Sequence, residues 1–237
     1  RSATWNHHKY PHDLRTPLTS ISGNANNLLY NESCLDAQMR RQIYGDIYDD
    51  SMWLIDLVEN LLSVTRIEEG RMQIRQSAEL VDEVIKEALK HTGQSRTGRT
   101  IKVEEEDELI LAKMDARLIV QVLINLIGNA VKYTPQGTDI TVRVKKEKAE
   151  NAERSQVIIS VCDLGNGIPD DRKERVFDMF YTGSDQVADS RRSLGLGLGL
   201  CRSIINAHGG KIWISDNIPH GAVVTFTLPA EEVALNE

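Results

Sequence analysis

The hydrophobic positions of residues 11–67 follow two helical stripes. In the first stripe, apolar residues recur at spacings that alternate between four and three, which predicts a helix from about residue 11 to residue 30. These residues are Leu14, Leu18, Ile21, Ala25 and Leu28. The second stripe runs from Met39 to Ile67, is interrupted at residues 49–51 and ends near Gly70. Residues 31–34 form the predicted turn between the helices, and Asp36 is the predicted N-cap of the second helix.

Two antiparallel amphipathic helices cannot bury two such stripes between themselves. Pairing of two copies of the chain into a four-helix bundle would bury them. The alternative is an intramolecular helical hairpin that covers the following domain. We expect the homodimer.

Two prolines affect the first helix. Pro11 disfavours helical structure at Tyr10 and is itself suited to the first turn of a helix. Pro17 cannot donate a hydrogen bond to the carbonyl of Asp13, so we expect the helix to kink at this point.

From Met72 onward the pattern changes to short β-type runs that alternate with helical runs, which predicts a domain boundary near residues 70–73. The predicted strands span residues 72–77, 100–105, 109–113, 139–146, 156–162, 211–215 and 222–228. The predicted helices span residues 79–91, 115–133, 170–177 and 198–208, and Asp115 is the predicted N-cap of the second of these. The predicted domains are residues 1–71, which are helical, and residues 72–237, which combine helices and strands.

Composition narrows the class of protein. The net charge of −7 over 237 residues argues against nucleic acid as the main partner, because phosphate binding favours a basic surface. Three cysteines that are far apart and lack metal-ligand spacing indicate reduced thiols of a cytosolic protein: Cys34, Cys162 and Cys201. No run of eighteen apolar residues and no signal-peptide pattern are present, which predicts a soluble chain.

A reactive surface is predicted on the first helix. His12 stands beside Asp13, and Thr16 lies one turn further on the same face. A lone histidine on a helix is usually a solvated surface residue. Residues 12–18 (His-Asp-Leu-Arg-Thr-Pro-Leu), however, resemble the H box of sensor histidine kinases. The resemblance implies that His12 carries a phosphoryl group, that Asp13 draws a proton from the imidazole, and that Thr16 positions water for dephosphorylation of a regulator.

A polar stripe is predicted on the helix of residues 115–133. Asn125 and Asn129 are four residues apart and share one face, with Lys132 one turn beyond. The alternative is a helix with a merely polar face, but residues 125–134 (Asn-Leu-Ile-Gly-Asn-Ala-Val-Lys-Tyr-Thr) resemble the N box of the same family. The resemblance implies that Asn129 ligates Mg²⁺ through its amide oxygen, that Lys132 reaches the phosphates, and that Tyr133 packs at the edge of the nucleotide.

Residues 163–169 (Asp-Leu-Gly-Asn-Gly-Ile-Pro) follow directly on an apolar strand. A carboxylate at a strand end can accept a hydrogen bond from an exocyclic amine, which would select adenine, and the glycines allow close approach of the backbone. Asp-Gly turns are common at strand ends, but residues 163–169 come after the N box in the chain and in this order resemble the G1 box of the family. That resemblance implies nucleotide contacts from Asp163, Gly165, Gly167 and Ile168.

The remaining motifs flank a polar segment. Residues 177–181 resemble the F box, which brings Phe180 to the nucleotide, and residues 183–193 have the polar character of the lid that follows it in the family.

Glycines that open the next helix expose N–H groups at its positive end, which favours anion binding. A dinucleotide-binding fold uses a similar turn, but there the turn follows the first strand of a parallel unit, whereas here it comes late in the chain and after the lid. Residues 195–200 (Gly-Leu-Gly-Leu-Gly-Leu) resemble the G2 box of the family, which implies ATP contacts from Gly195, Gly197, Leu198, Gly199 and Leu200. His208 and Gly209 are predicted as a helix C-cap.

These motifs occur in the family's order over about residues 12–229. The chain is therefore identified as a member of the sensor histidine kinases of two-component systems. The resemblance implies a helical hairpin that dimerises into a four-helix bundle, followed by a two-layer α/β sandwich of the Bergerat ATP-binding type with a mixed sheet. It also implies ATP and Mg²⁺ as cofactors, a response regulator as partner, and a cytoplasmic fragment of a protein associated with the inner membrane.

Two alternatives remain open. An ATPase of the same fold would carry a glutamate one turn before the Mg²⁺-binding asparagine, whereas this chain has Asn125, which cannot act as a general base. A dimeric scaffold without catalysis would keep the fold alone. The chain also departs from the family at Thr182, where an arginine is usual, and Arg191 and Arg192 are either its replacement at the phosphates or solvated charges.

Overall fold

The computed structural model describes residues 10–31, 34–68, 74–92, 100–106, 109–148, 155–178 and 197–231. Within these ranges the side chains of residues 10–14, of several positions between 53 and 68, and of residue 148 are not described. Among the predicted site residues, Phe180 and Gly195 lie outside the described residues, and so do the side chains of His12 and Asp13. The predictions for Thr182, Arg191 and Arg192 lie outside them as well.

The first two helices pack against each other as a hairpin. Helix α1 is Tyr10–Tyr30 and helix α2 is Ala37–Glu68. Pro11 occupies the first turn of α1, and the helix continues through Pro17. The predicted cap of α2 is confirmed, because Oδ1 of Asp36 accepts a hydrogen bond from the N–H of Met39 at 2.7 Å.

Most apolar side chains of the hairpin stay exposed. Among the described side chains of residues 15–68, only Pro17 is buried. The exposed large apolar side chains include Leu18 and Leu29 on α1 and Tyr48, Ile55 and Leu62 on α2. One chain therefore leaves its apolar stripes without the cover that a core requires.

The following domain is built on one mixed sheet. Its strands in the described part of the chain are β1 (Ser77–Leu80), β2 (Ile101–Glu105), β3 (Leu111–Met114), β4 (Ile140–Lys148), β5 (Ser155–Cys162), β6 (Ile212–Asp216) and β7 (Ala222–Glu231). They follow the order β1-β3-β7-β5-β4-β2, and β6 also pairs with β7. The β2–β4 pair is parallel and the other pairs are antiparallel, so the predicted mixed sheet is confirmed.

Helices cover the sheet as a second layer. These are α3 (Val81–His91), α4 (Ala116–Tyr133), the short α5 (Asp170–Lys173) and α6 (Gly197–Ala207). Helix α4 contacts α3 and α6 beside it and strands β4 and β5 beneath it. Leu123 and Ile127 of α4 meet a core that contains Ile159 and Phe226 of the sheet, all at most 1% exposed. The predicted two-layer α/β sandwich is thus confirmed. Helix α2 of the hairpin contacts α6.

Three local predictions were wrong. The first strand lies at Ser77–Leu80 rather than at residues 72–77, because Glu79 and Leu80 pair with Ala112 and Leu111 of β3. The predicted helix of residues 170–177 divides into α5 and a 3-10 turn, Arg175–Phe177, which buries Phe177. Asp115 occupies the N-cap position of α4, but its side chain makes no capping hydrogen bond.

The end of α6 has the predicted glycine cap. Gly209 adopts a φ of 77°, the N–H of Gly209 donates to the carbonyl of Asn206, and the N–H of Gly210 donates to that of Ile205. These paired bonds form a Schellman motif, which satisfies carbonyls that the helix leaves open. Gly210 is required for a different reason, since a Cβ there would lie 1.9 Å from the carbonyl oxygen of Thr227 in β7.

This difference predicts unequal costs for two neighbouring substitutions. Gly209→Ala strains the backbone in open space and should reduce the free energy of unfolding by about 1–2 kcal/mol. Gly210→Ala forces the helix end away from β7 and should cost about 3 kcal/mol or more. Urea unfolding of the full chain measures both, and equal costs would show that the close approach of Gly210 to Thr227 does not constrain the fold.

No helix within the described ranges is long and apolar enough to cross a membrane.

Candidate active site

Helix α4 presents the predicted polar stripe at the border of its buried face. Val122, Leu123 and Leu126 are at most 1% exposed, as the predicted register requires. Asn125 and Asn129 are half-buried, whereas Lys132 and Tyr133 are exposed at the C-terminal end of the helix. Nζ of Lys132 lies 5.0 Å from the centroid of the Tyr133 ring, a cation–π distance that keeps the ammonium beside the ring.

The C-terminal end of α4 touches the turn after β5. A Cβ on Gly165 would lie 2.7 Å from the carbonyl oxygen of Tyr133 and 3.0 Å from Oδ1 of Asp163. Only glycine allows the turn to approach the helix so closely. The structure therefore brings Tyr133 together with Asp163, which lies thirty residues further along the chain.

The carboxylate of Asp163 is oriented by backbone groups. Its Oδ1 accepts hydrogen bonds from the N–H of Gly165 at 2.8 Å and from the N–H of Ala222 at 3.1 Å. Both donors bond Oδ1, so a further donor would bond Oδ2. Gly167 has a φ of 71°, which favours glycine, and Ile168 packs against the core beside it.

The N-terminus of α6 meets the other end of the polar stripe. A Cβ on Gly197 would lie 3.8 Å from Cγ of Asn125. Nδ2 of Asn125 is buried and has no hydrogen-bond partner among the described residues, although the Cys201 thiol, a weak acceptor, lies close enough for the amide to act on it. A buried amide donor without an acceptor is costly, so this position is suited to an acceptor supplied by a ligand.

The residues that follow Gly197 differ in what they can contact. Leu198 is partly buried, and Gly199 and Leu200 lie in the interior, where the Leu200 side chain is fully buried in the core. Leu200 therefore has only its backbone to offer a nucleotide. Burial raises the pKa of the Cys201 thiol to about 12, against a smaller opposite effect of the nearby Asn125 amide, so this cysteine is an inert core residue.

The structure thus joins two groups of predicted residues. Asn125 and Gly197 lie together at one end, and Tyr133, Asp163 and Gly165 lie together at the other, with Asn129 on α4 between them. Thr16 is exposed on α1, in the other domain. Among the described residues, no cluster of three or more His, Cys, Asp or Glu side chains could hold a metal ion.

Sequence reasoning missed the loop that supports this site. Residues 217–221 lie between β6 and β7 and contact the Asp163 turn through Asn217, His220 and Gly221. The run Asn-Ile-Pro-His-Gly carries a turn signal. Nothing in its spacing indicates which segment it touches.

A second missed residue joins the two sides of residues 179–196. The guanidinium of Arg202 on α6 lies 4.5 Å from the centroid of the Phe177 ring and bonds the carboxylate of Glu174 at 2.7 Å. The 3-10 turn before this segment and the helix after it are therefore held together by one side chain.

A buried network lies behind α4. Nε2 of His208 accepts a hydrogen bond from the N–H of Asp115 at 3.0 Å, so its Nδ1 carries the proton and donates to the carbonyl of Ile204 at 2.8 Å. Oδ2 of Asp115 accepts the N–H of Arg75 at 3.1 Å. Burial acts to raise the pKa of Asp115, but this N–H and the guanidinium of Arg117 hold the pKa below its usual value. The Asp115 carboxylate thus accepts a hydrogen bond from the backbone N–H of Arg75 instead of capping α4.

Because His208 is neutral in the fold, we expect the free energy of unfolding to fall in acid. Burial holds the pKa of His208 below its usual value, whereas the unfolded chain has about 6.5. Below about pH 6.5 the unfolded chain binds a proton that the folded chain does not. The contribution of His208 to the free energy of unfolding is therefore constant above that pH and falls as the pH drops, by at most about 1.4 kcal/mol per pH unit.

Urea unfolding of the full chain as a function of pH tests this prediction. His208→Gln offers a carboxamide that can accept the Asp115 N–H without titrating, so its unfolding should be less sensitive to acid than that of the unchanged chain. His91→Gln is the matched control: Nε2 of this exposed histidine lies 3.3 Å from the surface carboxylate of Glu87, and an exposed pair contributes little, so the variant should stay close to the unchanged chain. Equal acid sensitivity with and without His208 would contradict the assignment.

The fold defines a two-layer α/β sandwich linked to a helical hairpin. Residues 114–232, half of the chain, match the histidine kinase-, DNA gyrase B- and HSP90-like ATPase family. Residues 10–70 match the His Kinase A phospho-acceptor domain. The chain belongs to the sensor histidine kinases, as its motifs predicted.

Curated relatives agree with this assignment. The chain is 40% identical over 220 residues to the sensor protein KdpD of Clostridium acetobutylicum, a match that covers 93% of this chain and 24% of the relative. It is 30% identical over 224 residues to the adaptive-response sensory kinase SasA of Gloeothece citriformis, with 92% of this chain and 55% of that protein covered. The chain therefore spans about a quarter to a half of these relatives.

Solved structures have the same fold. The histidine kinase ThkA, in a complex with the response regulator protein TrrA, matches with a TM-score of 0.67 and 27% identity, covering 93% of this chain and 60% of that one. The Acinetobacter baumannii histidine kinase AdeS matches with a TM-score of 0.69 over 93% of this chain and 98% of its own. At 22% identity, that second likeness concerns the fold alone.

Proposed function

We propose that this chain is the catalytic core of a sensor histidine kinase that transfers the γ-phosphoryl group of ATP to His12 and then to an aspartate of a response regulator. In this proposal residues 1–71 form the dimerisation and phosphotransfer domain and residues 72–237 form the ATP-binding domain. ATP binds across α4, with its adenine at Asp163, Gly165, Gly167 and Ile168 and its phosphates toward Lys132 and the start of α6.

The observation that supports this proposal is the buried Asn125 amide beside Gly197. Its Nδ2 is a donor without an acceptor among the described residues, and a phosphate oxygen is the acceptor that a helix N-terminus favours. The same observation argues against the ATPase alternative. A hydrolase of this fold needs a general base at that position, and an amide donor cannot take a proton from water near pH 7.

The residues present also fit Mg²⁺. This ion prefers oxygen ligands, keeps several waters and shares the phosphates of its substrate, so it does not need a cluster of carboxylates from the protein. Asn129 supplies one amide oxygen at the border of the buried face of α4. Bound there, Mg²⁺ would neutralise charge on the phosphates during transfer.

The transfer itself requires a free imidazole nitrogen. In the proposed step a nitrogen of His12 attacks the γ-phosphorus, a nitrogen–phosphorus bond forms, and the bond to the β–γ bridging oxygen breaks to leave ADP. Asp13 takes the proton from the imidazole so that one nitrogen is nucleophilic. In the second transfer the phosphoryl group moves from this nitrogen to a carboxylate oxygen of the regulator, and Thr16 would later position water to remove it.

A second copy of the chain and a response regulator are the proposed partners. Leu18, Ala25 and Leu29 line an open groove along α1, and α2 also exposes large apolar side chains, which suits a four-helix bundle. The relative ThkA forms a complex with the response regulator TrrA, which supports the regulator as partner. Association of the whole protein with the inner membrane belongs to the same proposal.

Incubation with γ-labelled ATP tests the proposed function against its rivals. Acid-labile label on the protein supports the kinase. Free labelled phosphate without labelled protein would identify the ATPase, and neither product would identify a scaffold. Light scattering of the full chain gives the oligomeric state, where a monomer would contradict the proposed bundle.

A further inference from the structure

The loop between β6 and β7 (residues 217–221) holds the backbone of Asp163. Nδ2 of the half-buried Asn217 donates a hydrogen bond to the carbonyl oxygen of Asp163 at 2.7 Å. The same side chain fixes its own loop, because Oδ1 of Asn217 accepts the N–H of Ile218 at 3.0 Å. The N–H of Asn217 donates to the carbonyl of Gly221, also at 3.0 Å. Asn217 therefore ties the closed loop to the turn that carries the carboxylate.

The loop and the turn also approach each other without side chains between them. Gly221 has a φ of 113°, and a Cβ there would lie 2.0 Å from the carbonyl oxygen of Asp163. A Cβ on Gly167 would lie 3.2 Å from the carbonyl oxygen of Gly221. Such close backbone packing leaves Asp163 little room to change its main-chain conformation.

Further hydrogen bonds complete the support of Asp163. Its N–H donates to the carbonyl of Ala222 at 2.9 Å, and its Oδ1 accepts the N–H of Ala222 at 3.1 Å. Nδ1 of His220 donates to the carbonyl of Gly165, two residues after Asp163 in the same turn, at 3.2 Å. At the start of the loop, Nζ of Lys173 bonds Asp216 at 2.7 Å and so connects the loop to α5. Residues 217–222 thus contact the N–H, the carbonyl and the carboxylate of Asp163.

We infer that Asn217 is a positioning residue that sets the preference of this site for adenine over guanine. The inference rests on the proposed function, in which Asp163 binds the exocyclic amine of adenine. Guanine presents a carbonyl oxygen at the position of that amine, and a carboxylate held in place cannot hydrogen-bond to it. Rejection of guanine therefore depends on a carboxylate that cannot rotate away. The hydrogen bond from Asn217 keeps the backbone of Asp163 from shifting, and so keeps the carboxylate in place.

Binding of ADP and GDP to the full chain, measured by calorimetry, tests this inference. Asn217→Asp keeps the shape of the side chain but replaces the donor with an acceptor that faces the Asp163 carbonyl. Affinity for ADP should fall about tenfold and affinity for GDP should change less, so that the ratio of the two affinities falls. Asn217→Gln, which keeps a carboxamide donor, should recover part of the ratio. Asn206→Asp, an exposed amide-to-carboxylate change on α6, is the control and should leave the ratio as it is.

The outcomes separate this inference from the proposed function. Asp163→Asn should abolish the preference for ADP, and an unchanged preference in that variant would refute the role of Asp163 itself. If Asp163→Asn loses the preference while Asn217→Asp retains it, Asn217 is not a positioning residue. Should Asn217→Asp fail to fold, Asn217→Ala removes the donor without adding charge, and the same ratio decides. A merely structural role would weaken ADP and GDP binding equally and would overturn the inference.

Discussion

Replacing His12 with glutamine is expected to remove all acid-labile label from the chain and to leave its ATP affinity unchanged. Glutamine is of similar length and polarity, but its amide nitrogen has no available lone pair and cannot attack phosphorus. ATP affinity should hold because the proposed nucleotide contacts all belong to residues 125–200, outside the hairpin. The measurements are label retained on the denatured protein and calorimetric binding of ATP.

The control uses the other histidines near the start of the chain. His7→Gln combined with His8→Gln alters imidazoles that the proposal leaves without a role, so this variant should label as the unchanged chain does. Label that persists after His12→Gln and disappears in the double variant would assign the phosphoacceptor to a different histidine.

Replacing Asn129 with alanine is expected to slow phosphoryl transfer about a hundredfold. The change removes the oxygen proposed to ligate Mg²⁺, and an ion that stabilises transition-state charge contributes several kcal/mol, of which about 2.7 kcal/mol corresponds to a hundredfold. Affinity for ATP with Mg²⁺ should fall more than affinity for ATP in the presence of a chelator. Initial labelling rates and calorimetry under both conditions provide the measurements.

Asn206→Ala supplies the comparison for that experiment. It removes an amide from an exposed position of α6 that has no proposed contact with the nucleotide, and both affinities should stay unchanged. If Asn129→Ala weakens binding equally with and without Mg²⁺, Asn129 contacts the nucleotide directly and is not the metal ligand.

Much of the fold could be predicted from local sequence. The predicted range of α4 agrees with the structure to within one residue, because the spacing of Val122, Leu123, Leu126 and Ile127 reports directly which face of the helix is buried. The N-cap at Asp36 and the glycine cap at Gly209 were also found, since each depends on groups within a few residues.

The wrong predictions have non-local causes. Strand β1 begins five residues later than its spacing suggested, because a strand exists only where a partner such as β3 pairs with it. The 3-10 turn that buries Phe177 places its ring beneath Arg202, which comes from a helix beyond residues 179–196. Asp115 was expected to cap α4, but it instead accepts the N–H of Arg75, forty residues away.

The sequence by itself determined the class of the protein and the order of its parts, because helical periodicity and short motifs are properties of neighbouring residues. Only the tertiary structure decided that the Leu200 side chain belongs to the core, that Nδ2 of Asn125 is buried without an acceptor among the described residues, and that Asn217 supports Asp163. Asn217 and Asp163 are 54 residues apart, and a contact at that separation leaves no periodic trace in the sequence. It follows from the register of β5 and β6 against β7, which the packing of the whole sheet sets.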